Sequence, residues 1–216
     1  MRNENTSLPK KILAYVGKLP FFKIENLGIL QIPPHYLKII LSRLENKKEI
    51  IRLKKGLYTS SEFIEKTKRN NEFSSFLEFL SSKIYSPSYL SLEYILYENN
   101  ILTEMPQNFT LITKNKTYTF SNSLGVFLYH KIRASLFCGF KIKRINNFFI
   151  YKAEKAKALF DFLYLRKNII LNKEMVEELR LNLKNFTIND RKNFEKYIDL
   201  EGSKKMKKIY NSLFRK

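Results

Sequence analysis

The side chains best suited to bind a polyanion lie between His35 and Lys55. A helix that begins at Pro33–Pro34 would bury a stripe spaced i, i+3, i+4 and i+7: Leu37, Ile40, Leu41 and Leu44. The opposite face of that helix would carry six residues: His35, Lys38, Ile39, Ser42, Arg43 and Asn46. Cations and amides of this kind bind base edges or phosphates, and an isoleucine can touch a thymine methyl group. The pattern predicts a DNA-recognition helix, and the alternative is a surface helix with one stray apolar residue.

A short basic hairpin follows this helix directly. Residues 50–53 and 57–59 are predicted strands, joined through Lys54, Lys55 and Gly56. Arg52 lies within the first strand, and Lys47 precedes it. Lysines at hairpin turns also serve solubility and edge protection. Their position beside the predicted recognition helix favours phosphate binding, and each phosphate contact would steepen the salt dependence of binding.

Two carboxylates could carry catalysis instead. Glu154 and Asp161 fall two turns apart on one predicted helix face, with Lys155 nearby. Paired carboxylates beside a lysine could hold the metal ion of a nuclease. Ion pairing of Asp161 with Lys157, four residues earlier, is the interpretation we favour, because such pairs are commonly structural.

Metal ligands and phosphate loops are otherwise scarce. The chain has two histidines, His35 and His130, and one cysteine, Cys138, whereas a zinc site needs several such ligands together. No glycine-rich phosphate loop of the Walker or dinucleotide-binding form is present. We therefore expect no metal, no cofactor and no catalytic residue, and a protein that is not an enzyme.

The bulk composition agrees with a polyanion partner. Forty Lys and Arg face twenty Asp and Glu, for a formal net charge of +20. This excess favours nucleic acid, although an AT-rich coding sequence also enriches lysine. A single cysteine fits a reducing cytoplasm, and no apolar run reaches the length of a signal core or a membrane span. We expect a cytoplasmic protein without a membrane partner.

A second group of cations lies in the later part of the chain. It comprises Lys131, Arg133, Lys141, Lys143, Lys152 and Lys155. In alternating strands Lys141 and Lys143 share a face, as do Lys131 and Arg133. This region is a candidate second polyanion-binding face, with RNA among its partners, and an ordinary solvated basic face is the alternative.

The elements that position these residues suggest two domains. Residues 1–62 are predicted to form a winged helix-turn-helix. Its first helix would be capped by Ser7, its second would run from Phe22 to near Gly28, and the recognition helix and hairpin would follow. Residues 60–71 are polar and are predicted to form a linker.

Residues 63–216 are predicted to form a larger α+β domain with a mainly antiparallel sheet and flanking helices. Helices are expected around Phe73–Leu80 and over residues 87–99. Strands are expected at residues 109–113, 117–120, 126–132, 140–145 and 148–151. Helices then occupy the chain to its end, and Thr187 with Asp190 should form a capping box.

Three segments resemble the AbiEi-type antitoxins of type IV toxin-antitoxin systems. Residues 41–59, LSRLENKKEIIRLKKGLYT, are similar to that family's wing pattern L-S-x-L followed by I-x-R-x-x-x-G-x-Y. Residues 85–106 resemble its Y-x-S-x-x-x-A-L-x-x-H-G-L segment, with Asn99–Asn100 in place of His-Gly. Residues 152–166, KAEKAKALFDFLYLR, resemble its A-x-x-E-K-A-L-x-D-x-L-Y helix. The resemblance covers roughly residues 8–166.

The resemblance implies an antitoxin of a two-gene phage-defence (abortive infection) module. The N-terminal domain would bind inverted repeats in its own promoter and repress transcription. The C-terminal domain would carry the antitoxic activity against a nucleotidyltransferase-like toxin, usually without stable toxin binding. The alternative is a stand-alone winged-helix regulator whose second domain senses a ligand or dimerises.

Overall fold

The computed structural model describes residues 7–214 and shows an α+β protein. Contacts divide these residues into two compact units. Unit 1 runs to Leu80 and also includes Phe120–Gly125, and unit 2 consists of Ser81–Thr119 and the chain from Val126 onward. The first unit therefore continues past residue 62, where the sequence placed a domain boundary.

Unit 1 alternates short helices with three short strands among its described residues. In chain order its elements are α1 (Leu8–Val16), β1 (Phe22–Lys23), a 3-10 helix (Ile24–Leu30), α2 (Pro34–Asn46), β2 (Ile50–Lys54), β3 (Leu57–Ser60) and α3 (Ser61–Arg69). β3 lies between β1 and β2, and both pairings are antiparallel. The helix α4 (Phe73–Ile84) follows.

The core of unit 1 forms around α2. The predicted stripe of α2 is buried, each member at most 3% exposed: Leu37, Ile40, Leu41 and Leu44. It joins one apolar cluster with Ile12, Val16, Phe22, Leu27, Ile50 and Tyr58. Each such side chain contributes about 1.5–3 kcal/mol on full burial, so this stripe fixes which face of α2 points outward.

Three local predictions for this unit are wrong. Phe22 begins a strand rather than a helix, because it pairs with Tyr58 on β3 and their rings stack 5.5 Å apart. The predicted polar linker is largely the helix α3, where the Ser60 hydroxyl accepts the Phe63 amide hydrogen and Ile64 is buried. Ser7 precedes α1 without a side-chain capping bond.

Unit 2 carries most of a second sheet and the remaining helices. Its elements, with β6 reaching into the segment assigned to unit 1, are β4 (Ser88–Leu90), α5 (Leu92–Glu98), β5 (Phe109–Thr113), β6 (Tyr118–Asn122), β7 (Gly125–Lys131), a 3-10 helix (Ala134–Leu136), β8 (Phe140–Ile145), β9 (Phe148–Ala153), α6 (Lys155–Arg166), α7 (Lys173–Glu178), α8 (Ile188–Glu201) and α9 (Lys204–Phe214). Thr187 and Asp190 form the expected capping box at the start of α8.

The second sheet is mixed, which corrects the expectation of a mainly antiparallel one. Within residues 7–214 its strand order is β6-β7-β5-β4-β9-β8. β5 pairs with β7, and β4 with β9, in parallel, whereas β4–β5 and β8–β9 are antiparallel. One helix was predicted over residues 87–99. In the structure the first part of that segment is instead the central strand β4, and the helix α5 follows it.

Candidate nucleic-acid interface

The outward face of α2 carries the six residues that the sequence predicted. His35, Lys38, Ile39, Ser42, Arg43 and Asn46 are all exposed. Ile39 is 46% exposed although it is apolar, and it lies between cationic and polar neighbours. The buried stripe on the other side of the helix holds these residues at the surface.

The two ends of α2 are set by local chemistry. Pro33 occupies the N-cap position and Pro34 the first turn, where a missing amide hydrogen costs no bond. At the other end Lys48 adopts a left-handed φ of 57°. The Glu49 amide donates to the Leu44 carbonyl and the Lys48 amide to the Glu45 carbonyl, the bonding of a Schellman motif. This turn directs the chain from α2 straight into β2.

The β2–β3 hairpin is called the wing here and comprises Ile50–Ser60. Its tip is Lys55–Gly56, and Gly56 has a φ of 78°, a conformation that glycine adopts without strain. Arg52 and Lys55 are exposed. The Asn122 side-chain amide donates to the Leu53 carbonyl at 3.2 Å, which binds the segment Phe120–Gly125 to the open edge of β2.

Lys54 is less available than the sequence suggested. Its ammonium lies 5.9 Å from the centre of the Phe120 ring, and the side chain is partly buried. Desolvation by this burial, together with the nearby Lys23, lowers the pKa of Lys54 from its ordinary value. Arg52 and Lys55 are therefore the more accessible cations of the wing.

The remaining cations of α2 and the wing are unpaired within the described part of the chain. Lys38, Arg43, Lys47, Arg52 and Lys55 make no salt bridge to a described carboxylate. Glu45 is the one acid of α2, and it is only partly exposed. A polyanion could bind these cations without first breaking an ion pair, so little of the Coulomb attraction would be offset.

The second predicted group of cations is dispersed by the fold. Lys152 is only 6% exposed, and its ammonium lies 2.7 Å from the Glu98 carboxylate. Lys155 lies 2.6 Å from the Asp190 carboxylate and also donates to the Asn185 carbonyl. These two lysines stabilise unit 2 internally and do not belong to a free basic face.

The other four cations of that group stay exposed but lie in different places. Lys131 ends β7, whereas Lys141 and Lys143 are on β8, four positions away in the strand order. Neighbouring strands are about 4.8 Å apart, so β7 and β8 are separated by about 19 Å. Arg133 follows β7 and donates to the Glu201 carbonyl at 3.1 Å. The predicted single face is therefore not formed.

The carboxylates considered for catalysis do not meet. Asp161 is fully buried and accepts bonds from the Lys157 ammonium, the Tyr89 hydroxyl at 3.1 Å and the Ser91 hydroxyl at 2.8 Å. Burial raises the pKa of Asp161, and the Lys157 ammonium and the hydroxyl donors oppose that rise. Glu154 instead lies 2.7 Å from Lys141 near the surface. Among residues 7–214 no group of three histidine, cysteine, aspartate or glutamate side chains could hold a metal ion.

Neither a family model nor a curated protein matches this chain significantly. No helix between residues 7 and 214 is long and apolar enough to cross a bilayer.

Unit 2 also contains a cleft that sequence reasoning missed. The cleft has a volume of about 580 Å³ and is lined by Glu93, His130 and Arg166 together with apolar side chains from α5, β7 and α6. The Arg166 guanidinium lies 2.5 Å from the Glu93 carboxylate. Desolvation lowers the pKa of His130, although Glu93 opposes this effect. No sequence pattern links these three residues, because they come from three distant elements.

Proposed function

We propose that this protein binds double-stranded DNA through unit 1, which acts as a winged helix-turn-helix. The observation that carries the proposal is the outward face of α2. Five polar or cationic residues and the apolar Ile39 are exposed there, while the apolar stripe on the opposite side of the helix is buried. A cationic and polar helix face without an acidic residue on it suits the major groove.

The order of elements supports this proposal. α1, β1, the 3-10 helix, α2, β2 and β3 follow the helix-strand-helix-helix-strand-strand order of a winged helix-turn-helix, and β3 lies between β1 and β2 as in that fold. The middle helix is a 3-10 helix in this chain. In the proposed complex α2 reads base edges, while Arg52 and Lys55 of the wing bind phosphates.

We further propose that the DNA is the promoter of the protein's own operon and that the protein is an antitoxin. This step rests on the resemblance to AbiEi-type antitoxins in residues 41–59, 85–106 and 152–166. The protein would repress transcription and neutralise a nucleotidyltransferase-like toxin, by non-covalent means and in the cytoplasm. Direct contact with the toxin is not required by the proposal.

A binding experiment with Arg43 tests the DNA-binding proposal. Fluorescence anisotropy would compare a duplex from the region upstream of the gene with a random duplex of equal length. Arg43→Ala should weaken binding to the upstream duplex by about 1–3 kcal/mol, and more than binding to random DNA, if Arg43 reads a base. Lys192→Ala, an exposed lysine of α8, is the control.

Two outcomes would contradict the DNA-binding proposal. One is wild-type binding that fails to discriminate the upstream duplex from random DNA at physiological salt. The other is equal loss in the Arg43 and Lys192 variants, since that would leave only the overall charge of the protein to explain binding.

Genetics tests the antitoxin proposal separately. Deleting the gene should be toxic only when a neighbouring nucleotidyltransferase gene is present, and expressing unit 1 variants such as Arg43→Ala should still protect the cell. Survival of the deletion strain with an active neighbouring toxin would exclude the antitoxin role. It would leave the DNA-binding proposal untouched.

A stand-alone transcriptional regulator is the second candidate, and the cleft in unit 2 favours it. Its volume of about 580 Å³ lies within the 300–1,000 Å³ that small-molecule sites commonly occupy. Its Glu93, His130 and Arg166 side chains would supply polar contacts to a ligand. A change in DNA affinity on adding a cell extract of small metabolites, lost in His130→Ala, would support this candidate over the antitoxin.

A further inference from the structure

The β8–β9 hairpin exposes apolar and cationic side chains together on one face. Within residues 7–214, β8 is the last strand of its sheet. Arg144 pairs with Phe149 across the two strands, and Ile142 pairs with Tyr151. We call these four residues the hairpin face. Ile142 is 57% exposed and Phe149 is 55% exposed, so both present apolar surface to solvent.

Each ring of the hairpin face has a cation beside it. The Arg144 guanidinium lies 5.9 Å from the centre of the Phe149 ring, and the Lys83 ammonium lies 6.0 Å from the centre of the Tyr151 ring. Phe149 and Tyr151 are two residues apart on β9, which places them about 7 Å apart on the same side of the strand. This arrangement gives one exposed ring, Phe149, and one half-buried ring, Tyr151, with a positive charge beside each.

The strands β5 to β9 carry no acidic residue in the sequence. No aspartate or glutamate occurs between Glu104 and Glu154, a stretch that contains all of β5 to β9. Lys143 is exposed on the edge strand and makes no salt bridge to a described carboxylate, but it pairs with Ile150 and therefore projects from the side of β8 opposite to the hairpin face. Glu154 binds Lys141, which projects from the opposite side of β8.

We propose that the hairpin face binds single-stranded RNA. The exposed Phe149 ring can stack on an unpaired base, whereas the bases of a duplex are already stacked on each other and cannot reach a sheet surface. The Arg144 guanidinium beside the Phe149 ring can bind the phosphates that link successive bases. The site lies in unit 2, so it is separate from the α2 and wing residues proposed to bind duplex DNA.

Two other occupants fit the observations less well. A second copy pairing edge to edge through β8 would bring Lys141, Lys143 and Arg144 against their own counterparts, and like charges oppose each other across paired strands. A membrane would need apolar residues at the tip of the hairpin. The tip is Asn146–Asn147, and both are exposed and polar, while Ile142 and Phe149 lie on the strands.

Phe149→Ala in the full-length protein is the decisive variant. Anisotropy with a labelled, unstructured uridine-rich RNA of twelve nucleotides should show affinity reduced about tenfold, in the range measured for loss of one stacking ring. Tyr118→Ala, which removes a ring that is 54% exposed on β6, is the matched control and should leave the affinity within about twofold of wild type. Circular dichroism would confirm that both variants fold.

A second variant and a mapping experiment keep the test independent of folding. Arg144→Gln keeps the Phe149 ring and should reduce the slope of log affinity against log salt by roughly 0.7, as expected for one contact with a single strand. Lys143→Gln, on the opposite side of β8, is the control and should change the slope less. Crosslinking with 4-thiouridine RNA, read out by mass spectrometry, should label peptides that contain residues 140–151.

Three results would overturn the proposal: equal RNA affinity of Phe149→Ala and Tyr118→Ala, crosslinks confined to peptides outside residues 140–151, or loss of binding to anionic phosphatidylserine vesicles in Phe149→Ala with RNA binding intact. Duplex binding by α2 should be unchanged in Phe149→Ala. The RNA proposal and the DNA proposal can therefore fail independently.

Discussion

Lys54 and Lys55 are adjacent in sequence and differ in environment. Lys55 is exposed at the tip of the wing, whereas Lys54 lies over the Phe120 ring and has a lowered pKa because of desolvation and the nearby Lys23. A phosphate could bind Lys55 with no reorganisation. It could bind Lys54 only by drawing the ammonium away from the ring, at the cost of a contact worth about 0.5–1 kcal/mol.

This difference predicts unequal salt effects on DNA binding. Lys55→Ala should flatten the plot of log affinity against log salt by about 0.9, the value for one phosphate on duplex DNA, and Lys54→Ala should flatten it by less. Both slopes can be measured by titrating one fixed duplex at salt concentrations between about 50 and 200 mM. Equal slopes for the two variants would show that Lys54 leaves Phe120 when DNA binds.

Lys157 and Asp161 form an ion pair in the interior of unit 2. Both side chains are fully buried, and the Lys157 ammonium also lies 4.8 Å from the centre of the Phe160 ring. Tyr89 and Ser91 satisfy the second oxygen of the Asp161 carboxylate. The charges are thus compensated only as long as both partners are present.

Removing one partner should therefore cost far more than an ordinary surface change. Asp161→Ala or Lys157→Met should each lower the free energy of unfolding by about 3–5 kcal/mol, because each leaves a buried charge without a partner. The double variant should lose less than the sum of the two. Urea denaturation followed by circular dichroism measures all three, and additive losses would mean that the two side chains do not interact.

At the scale of the element, the end of α2 combines helix termination with the placement of the wing. The Schellman bonds of Lys48 and Glu49 require a left-handed residue at position 48, and lysine occupies it with a φ of 57°. A residue with a Cβ pays about 1 kcal/mol for that conformation, which glycine does not. The Ser61 hydroxyl donates to the Lys48 carbonyl and so links the start of α3 to this turn.

Lys48→Gly should accordingly stabilise the protein by up to about 1 kcal/mol in the free energy of unfolding. Lys47→Gly is the control: Lys47 is helical with a φ of −79°, so glycine there should destabilise by about 0.5–1 kcal/mol. Thermal and urea denaturation of the two variants would show opposite signs. Destabilisation by both would mean that the turn gains nothing from glycine.

At the scale of the whole molecule, the two surfaces proposed to bind nucleic acid belong to different units. The formal charge of +20 attracts any polyanion, so non-specific association at low salt says little about function. In our proposals, specificity comes from local arrangements: α2 with the wing in unit 1, and the hairpin face in unit 2. An inverted-repeat operator would bind two copies of unit 1, with half-sites about one helical turn, 34–36 Å, apart.

Stoichiometry tests this expectation. Light scattering of purified complexes should give two protein chains on a duplex that carries both arms of the repeat, and one chain on a duplex that carries a single arm. The duplexes would be matched in length, so that non-specific coating affects both alike. One chain on the full repeat would contradict recognition of a two-fold operator.

Sequence patterns were sufficient to predict the α+β class, the helix α2 and its buried stripe, the β2–β3 hairpin and the Thr187–Asp190 capping box. These features depend on neighbouring residues: a 3.6-residue apolar period, prolines at a helix start, a glycine at a tight turn. Local patterns also placed the six outward residues of α2 correctly, because the face opposite a buried stripe must meet solvent.

Which cations form ion pairs, and which strands pair with each other, became clear only from the tertiary structure. Lys152 and Lys155 look like Lys143 in sequence, but Glu98 and Asp190 neutralise them after the chain folds. Phe22 became a strand because Tyr58, 36 residues later, offered a pairing partner. β4 joined a mixed sheet through β9 for the same reason. Ion pairing and strand pairing join residues distant in sequence, and no local period records them.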